Sequence, residues 1–139
     1  MKNILVLCTG NSCRSQMAHG YLEKMTGKNA NIYSAGIETH GINSGAVAIM
    51  KKDGIDISSH TSNNINEYVD VTWDYIITVC DHAYEKCPFI AAPNAVRLHH
   101  DFYDPSKFEG SPQETELAFE KAREEIKAYC KQFIFDYCI

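Results

Sequence analysis

A cysteine, five intervening residues and an arginine stand near the start of the chain, in the stretch Cys8, Thr9, Gly10, Asn11, Ser12, Cys13, Arg14, Ser15. The apolar residues Ile4, Leu5, Val6 and Leu7 precede it and an amphipathic pattern succeeds it. A loop between a buried strand and a helix can wrap a tetrahedral oxyanion, because its backbone N–H groups and the helix N-terminus carry partial positive charge. A guanidinium adds two donors in the geometry of such an anion. Thr9, Gly10, Asn11, Ser12, Cys13 and Arg14 are therefore the expected oxyanion-binding residues, with Cys8 beneath them as a thiolate nucleophile. A free thiol of pKa about 8.5 is only slightly ionised at neutral pH. Bringing it to about 6 takes roughly 3.4 kcal/mol of preferential thiolate stabilisation, more than one exposed ion pair supplies. Several donors must cooperate, and Ser15 is placed to be one of them. The competing reading, a small buried hydrophobe at a strand end, leaves the arginine spacing without a role.

The elements that would position these groups alternate. Residues 4–7 form a short, wholly apolar strand, suited to a parallel sheet buried on both faces. A helix comes next, with Ser12 or Ser15 as cap; Met17, Ala18, Tyr21, Leu22 and Met25 recur on one face until Gly27. Residues 32–35 are a second strand stopped by Gly36, and residues 44–53 a second helix with Gly54 as its C-cap. Residues 55–72 read as a loop carrying a short helix at 64–68. Residues 73–79, rich in β-branched and aromatic side chains, form the third strand and residues 95–98 the fourth. Residues 81–94 are an irregular connection. The last helix, 114–137, turns Ala118, Ala122, Ile126, Cys130, Phe133 and Tyr137 inward.

This alternation predicts one α/β domain over residues 1–139: a three-layer α/β/α fold around a four-stranded parallel sheet. Ligands of such sheets lie at the carboxyl ends of the strands, near the switch in strand order. If the order is 2-1-3-4, Cys8 after strand one and Cys80 after strand three emerge side by side, since neighbouring strands are about 4.8 Å apart. The length, 139 residues, supports a real core. A net charge of −5 without a basic cluster argues against nucleic acid. No segment is long and apolar enough for a membrane span or an export signal, so a soluble, cytoplasmic protein is expected, and a monomer is the expected state. In that compartment the six cysteines, Cys8, Cys13, Cys80, Cys87, Cys130 and Cys138, are reactive or buried thiols rather than a disulfide framework.

Residues 8–15 with Asp104-Pro105 resemble the low-molecular-weight protein tyrosine phosphatases. The resemblance is closer to their arsenate reductase branch, through residues 8–18, 33–41 and 55–62 and through Cys80 with Cys87-Pro88. It implies that Cys8 attacks arsenate, Arg14 holds the oxyanion and Asp104 protonates the leaving oxygen. It further implies that Cys80 forms a disulfide with Cys8, that Cys87 moves the disulfide to Cys80–Cys87, and that thioredoxin reduces it. No bound cofactor is implied. The spacing adds a constraint: on an α-helix, residues seven positions apart lie about 10.5 Å apart along the axis. A disulfide tolerates about 7 Å between Cα atoms, so a helical segment after Cys80 must unwind. Mobility is expected there.

Some relatives hold potassium beside the loop. Here Asn11, Ser34 and Thr61 match that set, but two acidic positions are His19 and Asn63, so any potassium site should be weak. A zinc set from Cys80, His82, Cys87, His99 and His100 lacks the usual tight ligand spacing. Two other functions compete with arsenate reduction. A phosphatase for aryl phosphates would want an aromatic wall, whereas Asp104-Pro105 is succeeded by Ser106-Lys107, and Glu38-Thr39-His40 offers no ring for a phenol. A non-catalytic oxyanion-binding module would need neither Asp104 nor the Cys80/Cys87 pair.

Overall fold

The structure, a computed structural model, describes residues 1–81, 83 and 92–139. Four strands, Lys2–Cys8 (β1), Ala30–Gly36 (β2), Tyr75–Thr78 (β3) and Val96–His99 (β4), form one sheet in the order β2-β1-β3-β4, parallel throughout. Among the described residues three helices, Arg14–Thr26 (α1), Ser44–Lys52 (α2) and Pro112–Asp136 (α3), alternate with them as expected. Among the described residues no helix is long and apolar enough to cross a membrane.

β1 organises the core. Its alternation sends Ile4, Val6 and Cys8 to one face, where they join Met17, Tyr21 and Leu22 of α1, Ile49 and Met50 of α2, and Ile126 and Phe133 of α3. Leu5 and Leu7 face the other way, into a smaller cluster with Ala35, Ile65, Trp73 and Ile76. That side is covered in part by a 3-10 turn, Ile65–Tyr68, whose Asn64 and Glu67 form a capping box. The rings of Tyr33, Tyr68 and Trp73 meet edge to face there. Burial on both faces is why β1 reads as an unbroken apolar run.

The ends of the elements depart from expectation in informative ways. Neither Ser12 nor Ser15 caps α1: the N-cap is Cys13, with no side-chain cap bond. In α2 the C-cap is Asp53, and Gly54 comes after it at φ 78°, a left-handed conformation that glycine adopts without a Cβ clash. α3 starts two residues earlier than predicted, because Pro112 opens it and Ser111 with Glu114 completes a capping box. Its inward stripe is as expected; Cys130 is buried there, while Cys138 is exposed.

Candidate active site

The register sets the geometry. Cys8 pairs with Gly36 on one side, and on the other Leu7 pairs with Thr78, two residues before Cys80. Cys80 thus comes out beside the loop after Cys8, and Thr9 Oγ1 lies 3.3 Å from Cys80 Sγ. The adjacency expected from strand order is present.

The loop from Thr9 to Cys13 turns its carbonyls outward, and separate parts of the chain hold them there. Thr9 O accepts from Glu38 N at 3.1 Å, and Ser12 O from Asn43 N at 3.0 Å. Gly10 O accepts from His40 N at 3.0 Å and from Ser62 Oγ at 2.9 Å. Asn11 O accepts from Gln16 Nε2 at 3.1 Å. With the carbonyls fixed on the convex side, the N–H groups are free for the concave side, and among the described residues nothing takes the amides of residues 10–13. This explains the missing cap: a side chain at the helix start would occupy donors that an anion needs. Gly36 sits so close behind the loop that a Cβ there would collide with the carbonyl oxygen of Glu38 and lie 2.7 Å from that of Thr9.

Asn11, fully buried at φ 49°, is a strut rather than a wall of the cavity. Its Nδ2 donates to Ser15 Oγ at 2.9 Å, and its Oδ1 accepts from Asn63 N at 2.8 Å. Ser15 likewise lies behind the loop. Thr9, Gly10, Ser12, Cys13 and Arg14 do line the cavity, with Cys8, Cys80 and Asp104; its volume is about 460 Å³. Glu38, His40, Asp81, Asp101, Ser106 and Lys107 complete its described lining, which contains no phenyl or indole ring.

Arg14 is 9% exposed. One terminal nitrogen donates to Phe102 O at 2.9 Å and lies 3.8 Å from Asp101 Oδ1; the other lies 3.5 Å from Asp104 Oδ2. Its buried Nε–H has no partner among the described residues and remains for an oxyanion. Asp104 is held in turn, its Oδ1 accepting from Ser106 N and Ser106 Oγ at 3.0 and 2.6 Å.

The two cavity thiols are shifted in opposite directions. Cys80 is pulled below the ordinary thiol range by its interaction with Cys8, then by the Thr9 hydroxyl, the Ala83 amide at 3.4 Å and Arg14. Cys8 is held above the ordinary thiol range by Cys80 and by burial, against the pull of Arg14 and the Thr9 amide. Cys13 and Cys130 are each pushed up to about 12, chiefly by burial, and stay neutral thiols. Cys87 lies outside the described residues, as do His82 and most of the connection expected to be mobile.

The residues that correspond to the potassium set do not fit that ion. Ser34 Oγ is 2.7 Å from His19 Nδ1, Thr61 Oγ1 donates to Asn63 Oδ1 at 2.8 Å, and Asn11 Oδ1 takes the Asn63 amide. Each oxygen is engaged within the protein, and among the described residues no carboxylate joins them.

A family model described as low molecular weight phosphotyrosine protein phosphatase matches residues 3–136. The chain belongs to that family. Within it, the chain is 47% identical over 132 residues to the arsenate reductase of Bacillus licheniformis, covering 95% of this chain and 94% of that protein. The arsenate reductase of Bacillus subtilis is 44% identical over the same shares. Among solved structures, an arsenate reductase in the oxidized state superposes with a TM-score of 0.84 at 25% identity, covering 98% of each chain. The low molecular weight protein tyrosine phosphatase of T. tengcongensis gives 0.77 at 26% identity, covering 98% of this chain and 99% of that one.

Proposed function

We propose that this protein reduces arsenate to arsenite through a thiol relay that begins at Cys8. The observation that carries this reading is Cys80 in the same cavity as Cys8 and Arg14, where hydrolysis would require only water. The 47% identical arsenate reductase supports it.

Arsenate seats in the loop amides with the Arg14 Nε–H on one oxygen. Cys8 attacks arsenic as a thiolate, its proton passing to Cys80 across their contact, and Asp104 protonates the departing oxygen. Ser15, whose hydroxyl accepts from Asn11, keeps its own proton to donate toward the thiolate. Cys80, once deprotonated, then attacks Cys8 Sγ. The sulfur–arsenic bond breaks, its electron pair reduces arsenic(V) to arsenic(III), and a Cys8–Cys80 disulfide forms. One arsenate monoanion, two thiols and a proton give arsenous acid, a disulfide and water, so the electrons balance without a bound cofactor. Cys87 attacks Cys80 and frees Cys8. The Ala83 N–H bond to Cys80 Sγ breaks as Cys80 moves, the first step of the unwinding that the spacing demands. Thioredoxin, near −270 mV, is the matching reductant, in a cytoplasmic and monomeric setting.

The test is arsenate-dependent NADPH oxidation with thioredoxin and its reductase. Steady turnover is expected for the intact chain, and a single turnover for Cys87→Ser. A steady rate indifferent to that substitution would remove the relay.

Asp104→Asn should lower kcat by about 10²- to 10⁴-fold, the usual worth of a positioned proton donor. Competitive inhibition by phosphate should barely change, because the amide still accepts from Ser106. Unaltered turnover would refute the acid role.

A further inference from the structure

On the far side of the catalytic loop, three side chains that the reduction chemistry does not use converge. His19 and Glu23 are one turn apart on α1, and His60 comes from the loop after α2. His60 Nε2 lies 3.1 Å from Glu23 Oε1, and His19 Nε2 lies 3.5 Å from Glu23 Oε2. The two imidazole rings are 4.5 Å apart between centroids, and the three ligand atoms fall within 4.8 Å of one another.

The hydrogen bonds behind these groups fix which atoms face inward. The fully buried Gln16 donates its Nε2 to two carbonyls, Asn11 O at 3.1 Å and Thr61 O at 3.0 Å. Its Oε1 is therefore an acceptor, and the bond to His60 Nδ1 at 3.0 Å comes from an Nδ1–H. A neutral His60 in that tautomer turns the bare lone pair of Nε2 toward the carboxylate of Glu23. Two lone pairs 3.1 Å apart repel unless a cation lies between them. His19 has the same second contact, its Nδ1 lying 2.7 Å from Ser34 Oγ. An imidazole anchored through one nitrogen with the other turned to a common point is the arrangement that metal-bound histidines show.

We propose that His19 Nε2, the Glu23 carboxylate and His60 Nε2 form a binding site for a divalent transition-metal cation of the zinc type. The distances suit it: ligands about 2.1 Å from a tetrahedral zinc lie about 3.4 Å from one another, between the two nitrogen–oxygen separations seen. Two imidazoles and one carboxylate favour zinc-like ions over magnesium, calcium or potassium, which take oxygen. Glu23 is half-exposed, so water completes the coordination. The bound ion would also stiffen the loop, because His60 bears on Gln16 and Gln16 on Asn11 O. The site stands independently of the arsenate reading.

The experiment titrates the full-length Cys80→Ser chain, which removes one thiol of the competing cavity pair, with Zn²⁺ by calorimetry and with Co²⁺ by absorption, and tracks the imidazole resonances by NMR. One equivalent is expected to bind, to shift the His19 and His60 signals and to give a cobalt spectrum without sulfur charge transfer. Glu23→Gln and His19→Ala should each weaken binding by about 10- to 100-fold. The half-exposed Glu23 variant should keep its fold, checked by thermal melting. Binding that is unchanged in both variants, a cobalt spectrum dominated by sulfur, or no imidazole shift at saturation would each overturn the proposal.

Discussion

Cys80→Ser is expected to abolish arsenate reduction, by roughly 10⁴-fold or more, while hydrolysis of a phosphate monoester persists. Serine can take the place of the thiol beside the Thr9 hydroxyl, but an alkoxide cannot form a disulfide with Cys8, and the arsenic–sulfur adduct has no internal electron donor. Hydrolysis would draw only on the roles proposed for Cys8, Arg14 and Asp104. Parallel assays with arsenate and an aryl phosphate, together with phosphate affinity, separate the readings. Arsenate reduction that survives in Cys80→Ser would eliminate the relay. Phosphate binding should not change, since the loop amides and Arg14 are intact.

Arg14→Lys is the second large effect. The guanidinium spans Phe102 O, the two aspartates and the oxyanion with a rigid planar fork, and a lysine ammonium on a flexible stem cannot reach all of them. Loss of a positioned donor to a charged transition state costs about 10²- to 10³-fold in kcat. The Phe102 carbonyl loses its buried donor at about 1–3 kcal/mol of stability, which thermal melting would register. The positive charge survives, so the pH profile of cavity-thiol alkylation should move little while turnover collapses. If kcat held to within about threefold, the fork geometry would not matter and a point charge would suffice.

Much of this site is legible in the sequence because its chemistry is contiguous. Cys8 through Arg14 is a single stretch with a strand before it and a helix after it, and period-two and helical patterns place both. The adjacency of Cys80 comes from strand order, since parallel strands present their ends on one edge. The hidden part depends on partners distant in sequence. The side chain of Asn11 braces the loop through Ser15 and Asn63, and Gln16 holds its carbonyl, a role that sequence reading does not show because Asn63 and Gln16 reach the loop from behind. The Thr9–Cys80 contact and the approach of Asp101 to Arg14 arise the same way. The uncapped start of α1 defeats sequence reasoning for a physical reason. A serine near a helix start is ordinarily a cap, but here the amides are kept free by tethering the carbonyls. The spacing of His19 and Glu23 on α1 is visible as a pair one turn apart, but only the fold brings His60 to them. Asp104 needs the family resemblance, since aspartate before proline is common in turns.

The pairing of β1 on both edges has a further consequence. The β2 edge leads through Gly36 to Glu38, His40 and Asn43, whose amides hold loop carbonyls, and the β3 edge leads to Cys80, the thiol proposed to carry electrons. Recognition and electron transfer are thereby divided between opposite flanks of one strand, as separable modules. A lineage could exchange hydrolysis for reduction by rewriting the chain beyond the end of β3, leaving every residue that shapes the cradle untouched.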